Sequence, residues 1–141
     1  FYCESSTTAK FMIPLLCSVP QPFGIKTSES VLKEIEEFLF VYETYGIKFY
    51  QEEEIIRFEK IMQPMEVEFD GDLDICIAAG IMLALPLLND VSIFKLRAPK
   101  RSEKTYNTIL KILKTYSVDI KQPATMRYEI SGKQKYRKRR N

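Results

Sequence analysis

The residues of this chain whose types and spacing could do chemistry gather at three helix entries. Ser5-Ser6-Thr7-Thr8 opens the first apolar helical stretch. Hydroxyls and unsatisfied backbone N–H groups at a helix N-terminus form a site for anions, phosphate above all. Ordinary helix capping is the plainer reading of the same residues. Asp70-Gly71-Asp72 stands directly before a second, strongly apolar helix. The helix dipole stabilises a carboxylate there, which could act as a general base on an adjacent ligand or simply cap the helix. The third entry, Leu96-Arg97-Ala98-Pro99-Lys100-Arg101-Ser102-Glu103-Lys104, is a basic loop running into a helix start. Its cations suit phosphate or carboxylate ligands, and equally a solvated surface loop.

What the 141 residues lack narrows the chemistry further. There is no histidine, which removes Ser-His-Asp hydrolysis, Cys-His nucleophilic catalysis and His-ligated zinc from this stretch of chain. Acid–base work must then fall to carboxylates, lysine or tyrosine. Cys3, Cys17 and Cys76 show neither metal spacing nor pairing logic, which favours a reducing cytoplasm; no metal and no cofactor are expected. Phe11 to Leu16 is too short for a bilayer and is broken by Pro14, and Ile75 to Leu88 suits a buried helix, so no membrane partner is expected.

The net charge of +2 conceals an asymmetry. Six basic groups fall in Lys133 to Asn141, and without them 15 basic residues face 19 acidic ones. The tail, 133–141, reads as basic and disordered. Its single aromatic, Tyr136, makes nucleic-acid binding through it the weaker reading.

The elements that must hold these residues are written twice. Thr44 falls on Thr115 and Tyr45 on Tyr116, a spacing of 71 (115 − 44), while Ile35, Phe38, Leu39 and Tyr42 fall on Tyr106, Ile109, Leu110 and Leu113. At the same spacing Phe23-Gly24-Ile25 meets Phe94-Lys95-Leu96, and Phe11-Met12-Ile13 meets Met82-Leu83-Ala84. A repeat defines the architectural unit, and one of about 70 residues is too long for a helical solenoid. Each copy reads helix, strand, helix, strand, then further strand. Helices are predicted over Ser5 to Leu16, from a Ser30 N-cap to Tyr45 with Gly46 as its stop, over Leu73 to Leu85, and from a Ser102 cap to Tyr116. Strands are predicted at Phe23 to Thr27, Ile47 to Tyr50, Ile55 to Phe58, Val67 to Phe69, Val91 to Leu96, Ser117 to Ile120 and Met126 to Ile130. The expected class is α+β with helices packed under small mixed sheets. Its modules are expected at 1–70, incomplete at its start, and 71–132.

With these residues in place, the chain resembles the enolpyruvyl transferase family, which is built from βαβαββ modules of about this length in two globular domains. The resemblance runs to about Gly132 and covers two of the family's six modules, so the chain, opening in Phe1-Tyr2-Cys3-Glu4, is expected to be a fragment or a diverged member. In the preferred register Asp72-Leu73 lies on the family's Pro-Asp-Leu, and Leu96 to Lys104 lies, with one extra residue, on Leu-Arg-x-Lys-Glu-Ser-Asp-Arg. Ser5-Ser6 then matches a Ser-Ser one module earlier. In a second register Ser5-Ser6-Thr7 lies on the Ser-Ser-Gln that holds the shikimate phosphate. Two departures stand out: Arg101 replaces Glu, and Lys104 replaces the Arg that grips phosphoenolpyruvate, losing a bidentate fork.

The resemblance implies transfer of the enolpyruvyl group of phosphoenolpyruvate to shikimate 3-phosphate, in aromatic amino-acid biosynthesis, without cofactor. Asp72 would be the catalytic acid/base, and Ser5, Ser6, Thr7, Lys100 and Lys104 would bind substrate. The remaining modules of the parent enzyme would be required, and the fragment alone is expected to be inactive. The sister transferase acting on UDP-N-acetylglucosamine is a second enzyme reading, but its cysteine-bearing loop has no match here. The readings from other classes are a non-catalytic anion-binding or scaffold module, and a nucleic-acid-binding protein acting through the tail.

Overall fold

The computed structural model describes residues 2–58, 61–69, 73–97 and 103–137. It divides into two compact units, Phe1–Gln63 and Pro64–Asn141. The first contains β1 (Tyr2–Cys3), α1 (Ser6–Cys17), β2 (Phe23–Thr27), α2 (Glu29–Glu43), β3 (Phe49–Glu52) and β4 (Ile55–Phe58). The second contains β5 (Glu66–Phe69), α3 (Ile75–Ala84), a 3₁₀ turn at Leu85–Leu87, β6 (Ser92–Leu96), α4 (Glu103–Thr115), β7 (Ile120–Ala124) and β8 (Arg127–Ile130). Their sheets have one topology, β1-β2-β4-β3 and β5-β6-β8-β7. The first strand pair of each is parallel and the others are antiparallel. Each unit therefore has the element order βαβαββ.

The boundary falls ahead of the sequence-based one. The strand around Val67, read as the close of the first module, pairs in parallel with β6 and opens the second. The first module also has an opening strand, in which Tyr2 and Cys3 pair with Lys26 and Thr27. Short terminal strands carry little pattern of their own, and only the partner strand reveals them.

The repeat is most faithful where the second helix of each module turns into its third strand. Gly46 ends α2 in the left-handed region at φ 80, and Ser117 takes the same conformation after α4 at φ 64. The following N–H groups close matching bonds, Ile47 to the Tyr42 carbonyl at 3.1 Å and Val118 to the Leu113 carbonyl at 3.0 Å. Elsewhere the spacing drifts. Phe23 and Ser92 occupy equivalent places, opposite Phe58 and Ile130, so Phe23 does not fall on Phe94. Two more residues separate Leu96 from Tyr106 than Thr27 from Ile35, and a register shift adds another between Lys121 and Ala124. Insertions at loops and bulges cost little, which is why a single spacing fails along the whole chain.

Each core lies between one face of the sheet and two helices. In the first unit Ile25, Ile56, Phe58, Ile13, Ile35 and Tyr42 are fully buried; in the second Phe69, Phe94, Ile130, Ile81, Met82 and Leu113 are. Phe94 stacks on Tyr128 with ring centroids 5.0 Å apart, and Phe23 on Phe58 at 4.8 Å, contacts worth about 1 kcal/mol beyond burial. Pro14 lies inside α1, where its missing N–H leaves the Lys10 carbonyl without its usual helical donor. The buried Tyr42 hydroxyl donates to that carbonyl at 2.8 Å. In the second module Leu113 takes the place of Tyr42, and α3 contains no proline.

Cys17, at the end of α1, is buried, and burial alone pushes its thiol up from 9.0 to about 12. A group whose folded-state pKa is raised contributes stability that is complete below its unfolded value and is lost as pH climbs to the folded one. The urea midpoint should therefore fall between about pH 9 and about pH 12, with a shallower fall in Cys17→Ala. Disulfide-exchange reagents should leave Cys17 unmodified at pH 8 until the chain unfolds. Identical slopes for the two proteins would refute this assignment.

Candidate functional site

In each module the carboxyl ends of the two parallel strands and the N-termini of both helices come to one edge. Crossover connections generally place ligand sites at such an edge. In the first unit Ser5 is the N-cap of α1: its Oγ accepts from the Thr8 N–H at 3.1 Å and donates to the Thr8 hydroxyl at 2.8 Å. Ser6 and Thr7 form the first turn, Ser6 half-buried and Thr7 exposed. No acidic residue lies in that turn, although Glu4 stands one residue ahead of the cap. Ser28, not Ser30, caps α2, accepting from the Val31 N–H at 3.4 Å.

In the second unit the equivalent edge takes in Arg97 and the starts of α3 and α4. Asp72, Lys100 and Arg101 lie outside the described residues, as does Ser102. The carboxylate that caps α3 is Asp74, whose Oδ1 accepts from the Cys76 N–H at 2.8 Å. Sequence reasoning passed over it because the acidic cluster of 70–74 offers three candidates, and only the backbone turn selects one. Lys104 sits in the first turn of α4, with its side chain exposed. It stands beside Glu103 in that turn, so the helix start carries one acid and one base. Arg97 is tied to the edge by its N–H, which donates to the Phe69 carbonyl at 2.9 Å, and its guanidinium lies 3.4 Å from Glu68.

The serines and threonine therefore belong to one unit, and Asp72, Lys100 and Lys104 to the other. Ser5, Ser6 and Thr7 stand at that edge of the first unit, and Lys104 at the equivalent edge of the second. Among the described residues, no group of three or more carboxylates and cysteines could hold a metal ion. No described helix is long and apolar enough to cross a membrane.

The tail departs most from expectation. Residues 133–137 are not loose: the N–H groups of Lys133, Gln134 and Arg137 donate to the carbonyls of Leu88, Pro86 and Tyr116 at 2.7, 2.8 and 2.9 Å. The Tyr136 hydroxyl bonds the Leu83 carbonyl, and its ring meets Tyr116 edge-on. The Gln134 side chain spans Asp119, accepting from its N–H at 2.6 Å and donating to its carbonyl at 3.1 Å. A charge run gives no sign of such docking, because main-chain groups make most of these bonds.

The two tandem βαβαββ modules match part of the fold of the enolpyruvyl transferases. No protein-family model and no curated protein matches the sequence. Among solved structures, the chain is similar to two of EPSP synthase from Acinetobacter baumannii, at 15% and 16% identity and a TM-score of 0.67 for both. These cover 97% of this chain and 31% of theirs. It is also similar to the enolpyruvyl transferase NikO from Streptomyces tendae, with 11% identity and a TM-score of 0.52 over 90% of this chain and 30% of that one. The chain thus spans about a third of the length of the proteins it resembles.

Proposed function

We propose that this chain is two modules of a cytoplasmic enolpyruvyl transferase acting on phosphoenolpyruvate and shikimate 3-phosphate. The observation that carries the reading is the fold similarity over 97% of the chain to an EPSP synthase. Asp72 is the acid/base that moves the proton in addition and elimination. Lys100 and Lys104 neutralise ligand phosphate or carboxylate, and the helix start at Ser5, Ser6 and Thr7 receives an anionic group. Lys104 in the first turn of α4, at the edge where the helix starts gather, supports this assignment. The remaining modules of the parent enzyme complete the site, so these 141 residues alone should not turn over.

The test is phosphate release from phosphoenolpyruvate and shikimate 3-phosphate by the longer protein that contains this chain. Asp72→Asn should lower kcat by about 10²- to 10⁴-fold, and Lys104→Ala should mainly raise KM. Activity unchanged by Asp72→Asn would overturn the assignment. Arg101 and Lys104, which depart from the family's residues, favour a second reading: a non-catalytic anion-binding module. An absence of turnover, together with a rise in Tm on adding either substrate, would select it.

A further inference from the structure

The docked tail creates a feature at the opposite edge of the second module, away from the helix starts. Ser117, Lys133, Gln134, Lys135 and Arg137 line a cavity of about 340 Å³ where α4 ends. Lys133, Lys135 and Arg137 are exposed and form no ion pair with any described residue. The main-chain bonds of 133–137 hold these three cations together, although like charges repel and would separate if the segment were free. The C-terminal end of a helix is equivalent to roughly half a negative charge, and Asp119, held nearby by Gln134, supplies one more. Lys114 in the last turn of α4 adds another cation. A net positive charge therefore remains, in a concave space of the size that takes small ligands.

The first module provides an internal comparison. At the equivalent place, where α2 ends at Gly46, a cavity of about 350 Å³ is lined by Glu43, Gly46, Ile47, Lys48 and Phe49. Its one acid and one base balance. Position and size are the same in both modules, but charge is concentrated only where the tail docks.

We propose that the cavity at Ser117, Lys133, Lys135 and Arg137 binds the phosphate groups of a small multiply charged ligand. Arg137 and the lysines supply charge-assisted donors, and the Ser117 hydroxyl supplies a neutral one. Tyr136, the tail's one aromatic, is engaged with Leu83 and Tyr116. It is not presented for base stacking, which separates this site from a single-stranded nucleic-acid surface. The proposal does not depend on the transferase reading, since none of its residues lies at the helix starts.

The test is an NMR titration of the 141-residue chain with inorganic pyrophosphate at constant ionic strength. Saturable shifts are expected at the amides of Ser117 and of 133–137, with none at Gly46, Ile47 or Lys48. Lys135→Gln with Arg137→Gln should weaken binding about tenfold or more while leaving the remaining spectrum, and hence the fold, unchanged. A parallel arm uses a single-stranded oligonucleotide. Three results would overturn the proposal: linear shifts, equal shifts in both modules, or saturation by the oligonucleotide alone.

Discussion

Gly132→Ala should be among the most damaging single-methyl substitutions in the second unit. A Cβ at that position would lie 2.5 Å from both the Asp90 nitrogen and the Leu88 carbonyl oxygen, and it would also crowd the Asp90 carbonyl. All three are main-chain atoms of the loop after the 3₁₀ turn, so no side chain can swing aside. Relief requires the two segments to separate, which breaks the Lys133 and Gln134 bonds to Leu88 and Pro86 and releases the tail. The expected loss is about 3 kcal/mol, read as a fall in the urea midpoint and the disappearance of amide protection at 133–137. Gly24→Ala is the control. There the added carbon meets one side-chain atom, the Ile55 Cγ2 at 2.9 Å, and comes no closer than 3.6 Å to the Ile56 carbonyl of the main chain, and the cost should be smaller, about 1 kcal/mol. Equal effects from the two substitutions would mean that the loop around Asp90 yields easily.

Tyr42→Phe should cost about 1.5 kcal/mol in the first unit, because it removes the hydroxyl that serves the Lys10 carbonyl. The origin of that need is Pro14, so the effect should depend on it. In a Pro14→Ala background residue 14 regains its N–H, the Lys10 carbonyl regains a helical donor, and removing the Tyr42 hydroxyl should matter far less. A double-mutant cycle on urea unfolding measures this coupling. Additive effects would refute the link between the proline and the tyrosine.

Much of the fold was legible because burial imposes period on sequence. The stripe Ile35, Phe38, Leu39, Tyr42 and its echo Tyr106, Ile109, Leu110, Leu113 located the second helix of each module, and Gly46 marked a stop at positive φ. Ser5 at the start of α1 was legible as well, since capping acts within three residues. Ser28 in place of Ser30, and Asp74 among the acidic residues of 70–74, were not: neighbouring residues with similar side chains compete for one cap. The exchange of Tyr42 for Leu113 has no local explanation until Pro14 is seen beneath the hydroxyl.

The sequence by itself determined the repeat, the α+β class and, for this stretch of chain, the absence of histidine chemistry. All of these rest on residue type and short spacing. The tertiary structure decided the module boundary, because β5 is assigned by its pairing with β6 across 27 residues of chain (93 − 66). It also decided the start of the tail, where 133–137 read as part of a disordered basic run until the carbonyls of Leu88, Pro86 and Tyr116 are brought beside the N–H groups of Lys133, Gln134 and Arg137. Backbone hydrogen bonds across long separations leave no trace in side-chain pattern, and they hold the cations of 133–137 in place.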